Sequence, residues 1–253
     1  MMHLRALFLT LLLLLPGFAV AGDRADVAAA ASLRFAFEEL VDAYHQQEPD
    51  DTIRISFGAS GRLTNQILNG APFDLFFSAD TGYPQRLYEA GHSGGEPVVF
   101  AVGRLALWSN RVDVSERPLE SILDDDIRRV AIASPQHAPY GVAAMEAFEH
   151  LSIREALEPK LVTAQNVGQT LRMVQAGGAD AGLVALSLAM HPDLAEHPYQ
   201  VIDANLHKPL LKAFVTTRRG QDAPAAERFA TFIHSGTGRE ILERHGFETP
   251  EAD

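Results

Sequence analysis

The chain has 253 residues, 21 Lys and Arg against 33 Asp and Glu, a formal net charge of −12 and no cysteine. That balance excludes the basic face a nucleic-acid binder needs and charge-driven docking on an anionic membrane. Without disulfides, a fold of this length must be held by its core.

In chain order, residues 1–21 read as a secretory signal peptide. Arg5 supplies the positive start, 6–15 is an apolar run ending in five leucines, Pro16-Gly17 breaks it, and Ala19-Val20-Ala21 is the cleavage signal. The run is shorter than the roughly 20 apolar residues of a membrane-spanning helix. No cysteine follows it to carry a lipid, so a soluble, exported mature chain is expected from Gly22.

Beyond this point short apolar strands alternate with amphipathic helices, the pattern of an α/β protein. Val27-Ala28-Ala29-Ala30-Ala31 leads to Ser32. After it, Leu33, Phe37, Leu40, Val41 and Tyr44 share one helical face, and Pro49 with Asp50-Asp51 ends the unit. Thr52-Ile53-Arg54-Ile55-Ser56-Phe57 is a strand that turns at Gly58-Ala59 into a helix starting near Ser60. Leu63 and Ile67 are its apolar side, and Gly70 closes it. Asp74-Leu75-Phe76-Phe77-Ser78 is a buried strand, and 82–90 a helix stopped by Gly91. Val98-Val99-Phe100-Ala101-Val102 and Leu105-Ala106-Leu107-Trp108 read as long strands able to carry the chain between two lobes.

A second α/β set follows. Strand 129–133 enters the loop 134–141 and a helix with Val142, Met145 and Phe148 on one face. Strand 160–164 enters Gln165-Asn166-Val167-Gly168 and a helix with Leu171 and Val174, and strand 181–186 comes next. Segment 199–202 and strand 210–217 are expected to return the chain to the first lobe, which helices 224–235 and 237–245 complete.

Four turns share one layout. Ser32, Ser60, Tyr140-Gly141 and Val167-Gly168 each stand where a strand switches to a helix. Ligands of open α/β sheets bind beyond the carboxyl ends of the strands. Each helix start offers free N–H groups and about half a positive charge. Four such ends in one cleft could neutralise much of a dianion without Lys or Arg. For any single serine the ordinary role is a helix N-cap; it is the pairing of turns between the two halves that favours an anion site.

Catalytic and metal readings are weaker. Gly58-Ala59-Ser60-Gly61 lacks the spacing of a nucleophile elbow, and no H-E-x-x-H occurs, although His191 and His197 flank an acidic loop. Gly236-Thr237-Gly238 has no following G-K-[ST] and is not a phosphate loop. His137 is placed in the ligand loop, where a loop-fixing hydrogen bond is its expected role. Asp80 is expected to bond backbone at a turn, and Asp180 could accept a proton from a ligand if it faced the cleft.

The segments Ala29-Ala30-Ala31-Ser32-Leu33, Phe57-Gly58-Ala59-Ser60-Gly61 and 70–80 (GAPFDLFFSAD), with 135–141 (PQHAPYG), Asn166-Val167 and Gly246-Phe247, are similar in order and spacing to the periplasmic molybdate-binding receptors of ABC transporters. These receptors belong to the type II periplasmic binding proteins, and the resemblance spans essentially the whole mature chain. It implies an α/β fold of two lobes, each a mixed sheet flanked by helices, with the cleft between them. The expected lobes are 22–101 with 205–253, and 102–204. The resemblance assigns oxyanion binding to Ser32 and Ser60, through hydroxyl and backbone N–H, and to the backbone of Tyr140 and Val167. It implies no catalysis, no cofactor, no direct protein–cation bond, and molybdate or tungstate as ligand. A monomer in the periplasm is expected, handing its ligand to a membrane permease driven by a cytoplasmic ATPase. In one respect the chain departs from the pattern: some relatives carry a ligand-binding tyrosine where Ala185 stands, and Tyr140 is the residue whose hydroxyl could replace it. The alternatives are a receptor for sulfate or another tetrahedral oxyanion and, in a different class, a secreted serine hydrolase using Ser60.

Overall fold

The computed structural model describes residues 22–250; the predicted signal peptide lies outside the described residues. Two five-stranded sheets carry the architecture. The first contains β1 (Arg24–Ala30), β2 (Thr52–Gly58), β3 (Leu75–Phe77), β4 (Val98–Gly103) and the late strand Leu210–Thr216. The second contains β5 (Leu105–Trp108), β6 (Val130–Ala133), β7 (Leu161–Ala164), β8 (Ala181–Ala185) and β9 (Tyr199–Val201), which makes Leu210–Thr216 β10. The spatial orders are β2-β1-β3-β10-β4 and β7-β6-β8-β5-β9.

Each sheet has a parallel core and antiparallel additions. β1 runs parallel to β2 and β3, and β6 parallel to β7 and β8. β10 is antiparallel to β3 and β4, and β5 to β8 and β9. The inner parallel strands are covered on both faces and apolar: β3, β6 and β8 are buried at every residue, whereas the edge strands β2 and β7 carry the exposed Arg54 and Thr163.

Helices follow the parallel strands on the expected pattern. They are α1 (Arg34–His45), α2 (Ser60–Leu68), α3 (Gly82–Glu89), α4 (Pro139–His150), the short α5 (Arg154–Leu157), α6 (Val167–Gln175), the single turn α7 (Leu186–Ala189), α8 (Pro224–His234) and α9 (Gly236–Arg244). α3 stops at Gly91, whose φ of 72° is left-handed and favours glycine. The first sheet is backed by an aromatic cluster in which Phe37 meets Phe77 edge-on at 5.0 Å and Tyr44 meets Phe229 at 5.3 Å. Asp51 ties the end of α1 to α8: it accepts from Tyr44 Oη at 2.5 Å and from Arg228 Nη2 at 2.7 Å.

One expected connection differs. Segment 199–202 does not leave the second sheet; β9 pairs with β5, setting Trp108 opposite Tyr199 and Ala106 opposite Val201. β5 would otherwise present an open edge, and the half-buried β9 covers it. The chain crosses from sheet to sheet at Arg104, between β4 and β5, and returns between β9 and β10.

Candidate functional site

The four strand-to-helix turns meet. β1, β2, β6 and β7 all end toward one small cavity of about 10 Å³, lined by Ser32, Ser60, Tyr140 and Val167 together with Asn166 and Ala138. Ser32 and Ser60 are 1% exposed. Close approach of backbone builds the second half of the site. A Cβ on Gly141 would lie 2.1 Å from the carbonyl oxygen of Ala133, so only glycine lets the start of α4 sit on the end of β6. α6 is oriented by its own cap, Asn166, whose side chain accepts from the N–H of Gln169 at 2.9 Å. A much larger open groove lies elsewhere, along Val98, Phe214 and His234, and holds none of the four turns.

Neither serine is a helix cap. Ala59 is the N-cap of α2 and Ser60 its first helical residue, while Ser32 lies inside a 3-10 turn that precedes α1. Ser60 Oγ instead accepts from the N–H of Ala79 at 3.0 Å, and Ser32 Oγ accepts from Lys212 Nζ at 3.0 Å. Each serine oxygen is thus held by a donor from the protein, which leaves its own proton to be given. That is the polarity an anion needs. For a hydrolase it is the wrong environment, because the recorded partner of Ser60 Oγ is a backbone N–H and not a base.

Lys212 is the residue that the sequence reading missed. It lies in β10, is 0% exposed, and its Nζ donates to Tyr140 Oη at 3.2 Å as well as to Ser32 Oγ. It also faces the ring of Phe247, 5.2 Å from the centroid. Burial depresses its pKa to about 7, with Asp80 pulling the other way. The same burial raises the pKa of Asp80, against hydrogen bonds from Tyr83 and Ser78 and the charge of Lys212. The Tyr140 phenol is likewise pushed well up by burial. The signal was available in the sequence: Leu210, Lys212 and Phe214 occupy the same phase of the strand, and all three are buried, whereas Leu211 is exposed. The expectation of an anion site without any Lys or Arg is therefore corrected, since a lysine stands directly behind two of the site hydroxyls.

The two halves of the site are bonded across the cleft. Gly61 N–H donates to the carbonyl of His137 at 2.9 Å, Arg62 Nη1 to Gln165 Oε1 at 2.6 Å, and Ser187 Oγ to the carbonyl of Ser32 at 2.7 Å. His137 thus contributes through its backbone. Asp80 accepts from the N–H of Tyr83 at 3.2 Å, the turn role expected of it. Asp180 is occupied elsewhere, accepting from the N–H groups of Arg128 and Arg129, both at 2.9 Å. Ala185 is fully buried at the end of β8 and does not line the cavity. His191 caps a short turn and His197 packs edge-on to Trp108. Among the described residues no group of three or more His, Cys, Asp or Glu could hold a metal ion.

Comparison with known proteins agrees with this architecture. The family of bacterial extracellular solute-binding proteins matches residues 25–248, and the chain belongs to it. The chain is 33% identical over 245 residues to the molybdate-binding protein ModA of Rhodobacter capsulatus, covering 95% of each chain. It is 30% identical to ModA of Azotobacter vinelandii, over 90% of this chain and 92% of that one. The solved periplasmic molybdate-binding protein of Azotobacter vinelandii superposes with a TM-score of 0.84, covering 90% of this chain and 100% of that one. The type II receptor fold expected from the sequence is the fold observed, and the family is one of solute receptors, not enzymes.

Proposed function

We propose that this solute-binding protein captures molybdate, and also tungstate, in the periplasm and delivers it to an ABC-type permease driven by a cytoplasmic ATPase. The observation that carries the reading is the convergence of Ser32 and Ser60 from one sheet with Tyr140 and Val167 from the other on a single buried cavity. The relatives at 30–33% identity are molybdate-binding proteins, which supports the choice of anion. In this reading Ser32 and Ser60 donate through hydroxyl and backbone N–H, and Tyr140 and Val167 through the backbone N–H groups at the starts of α4 and α6. The lobes expected as 22–101 with 205–253 and 102–204 meet two residues later, because Val102 and Gly103 pair with β10; residues 22–103 with 205–253 form one lobe and 104–204 the other, and they close on the ligand as a monomer. A cavity lined by donors suits a fully ionised tetrahedral dianion. Hydrogen phosphate would bring a proton with no acceptor, at a cost of about 1–3 kcal/mol.

A thermal-shift series of oxyanions tests the proposal. Ligand at a hundred times its Kd adds about 2.7 kcal/mol to the folded state, which for a chain of this size raises Tm by several degrees. Molybdate and tungstate should do so, while sulfate and phosphate at equal concentration leave Tm nearly unchanged. An equal shift with sulfate would replace the molybdate reading with a general oxyanion receptor.

A further inference from the structure

Lys212 is a buried amine with no carboxylate in contact. Its neighbours come from five directions: Ser32 from the turn after β1, Tyr140 from α4, Gly103 from β4, Phe247 from the C-terminal segment and Asp80 from the loop after β3. Of these only Asp80 and Tyr140 titrate, and burial holds the phenol protonated through the neutral range. Asp80 acts on the lysine by charge without a recorded hydrogen bond to it; its carboxylate bonds Ser78 Oγ at 3.0 Å and the N–H of Tyr83. An unpaired buried ammonium is costly, so something must compensate it when it is charged.

The cavity wall supplies the geometry for that compensation. Nζ bonds the oxygen of both Ser32 and Tyr140, and both residues line the cavity. A dianion there would sit one hydroxyl away from the amine. We propose that Lys212 is the positioning residue and counter-charge of the anion site: it turns the hydroxyls of Ser32 and Tyr140 toward the ligand and becomes fully protonated when a dianion binds, so that ligand and proton are taken up together. The proposal rests on the oxyanion-receptor reading above and adds to it a charge that helix ends alone do not provide.

The sign follows from linkage. Burial depresses the lysine to about 7 in the closed, ligand-free arrangement in which Nζ reaches both hydroxyls, and a neighbouring dianion raises it again. The ligand therefore binds the protonated form more tightly. Affinity should be flat below about pH 7 and fall by up to tenfold per pH unit above it, until the pKa of the complex is passed. Molybdate is a dianion throughout this range and contributes no slope of its own.

The test is isothermal titration of molybdate from about pH 6 to pH 9, in two buffers of different ionisation enthalpy. The parent protein is expected to show a falling affinity at high pH and up to one proton taken up per molybdate near pH 8. Lys212→Met should bind at least tenfold more weakly at pH 6.5, with no slope and no proton uptake. Lys212→Gln, which keeps a donor but no charge, should recover part of the affinity and none of the pH dependence. Asp80→Asn removes the one opposing charge and should move the break to lower pH. A parent protein that binds molybdate with pH-independent affinity and no proton uptake overturns the proposal while leaving the receptor reading intact, and this needs no variant to fold. A slope that survives in Lys212→Met overturns it too. Tight, proton-linked binding of sulfate with no binding of molybdate would instead sink the molybdate reading and keep the role of Lys212. Failure to bind any of molybdate, tungstate, sulfate or phosphate would refute both.

Discussion

Replacing Tyr140 by Phe isolates one hydroxyl. The ring is 2% exposed and stays packed, the N–H at the start of α4 is untouched, and only Oη, 3.2 Å from Lys212 Nζ, is lost. A hydrogen bond to a charged partner contributes about 1.5–3 kcal/mol. If the phenol donates to the oxyanion, its loss should raise the Kd for molybdate about 10- to 150-fold. The free protein changes by less. Lys212 keeps Ser32 as an acceptor, and one net hydrogen bond of about 1 kcal/mol corresponds to a few degrees of Tm. The two effects are separable: calorimetric titration reads the first and melting without ligand reads the second. The reasoning is refuted if Tyr140→Phe binds molybdate within about 0.5 kcal/mol of the parent, the range of an uninvolved substitution. The phenol would then only support Lys212, and no tyrosine hydroxyl would reach the anion.

Ser60→Ala should weaken molybdate binding roughly 10- to 100-fold in calorimetry while the backbone N–H keeps residual affinity. Ester hydrolysis should be absent in parent and variant alike. Ser32→Ala should lose a similar factor, and because it also deprives Lys212 of an acceptor, the high-pH decline in affinity should change with it. Gly103→Ala would put a Cβ 2.5 Å from Tyr140 Oη and 2.9 Å from Lys212 Cε. It should cost about 1–3 kcal/mol of stability in denaturant titration and lower anion affinity in the same protein. Far from the site, the Arg228 hydrogen bond above all holds the Asp51 carboxyl below the usual range, against desolvation and with help from Tyr44. A depressed folded-state pKa stabilises above the unfolded value of about 3.9 and is lost as pH falls through the folded one. Asp51→Asn should therefore be less stable at neutral pH and show a flatter loss of Tm between about pH 5 and pH 2.

Local features of the site were legible because local chemistry sets them. Each strand-to-helix switch is a short-range event, marked at Ser60 by Gly58-Ala59 before it and at Val167 by the capping Asn166. The right-handed parallel topology then brings strand ends of one sheet to the same edge without further information. What could not be read is what a residue's oxygen does once there. A serine at a helix start can cap the helix or face a ligand, and both put Oγ near free N–H groups. The choice at Ser60 was made by Ala79, 19 positions away, and at Ser32 by Lys212, 180 positions away. The partner of β9 was hidden for the same reason, since an edge strand is chosen by whichever sheet has an open edge. Lys212 was hidden by its type. A lysine in a strand is expected to reach water, and that expectation outweighed the phase it shares with the buried Leu210 and Phe214.

The position of that lysine also constrains how the cleft works. β10 is hydrogen-bonded between β3 and β4 in the first sheet, the sheet whose β1 and β2 lead to Ser32 and Ser60, whereas Tyr140 starts a helix of the second. Separating the sheets therefore leaves the Lys212–Ser32 bond in place and breaks the Lys212–Tyr140 bond, along with those of Gly61 to His137 and Arg62 to Gln165. Opening admits water to an amine that is otherwise dry, which removes the desolvation that depresses its pKa. Closing around nothing returns the amine to a dry site and favours its neutral form, whereas closing around a dianion keeps it charged. The empty closed state and the loaded closed state thus differ by a proton as well as an anion. That difference makes closure without ligand less favourable at low pH than at high pH, the reverse of the pH dependence of ligand binding at fixed closure. A pH series of small-angle scattering on the ligand-free protein should accordingly show the compact form gaining population as pH rises through about 7, and a population independent of pH across this range would mean that Lys212 stays charged in the dry cleft.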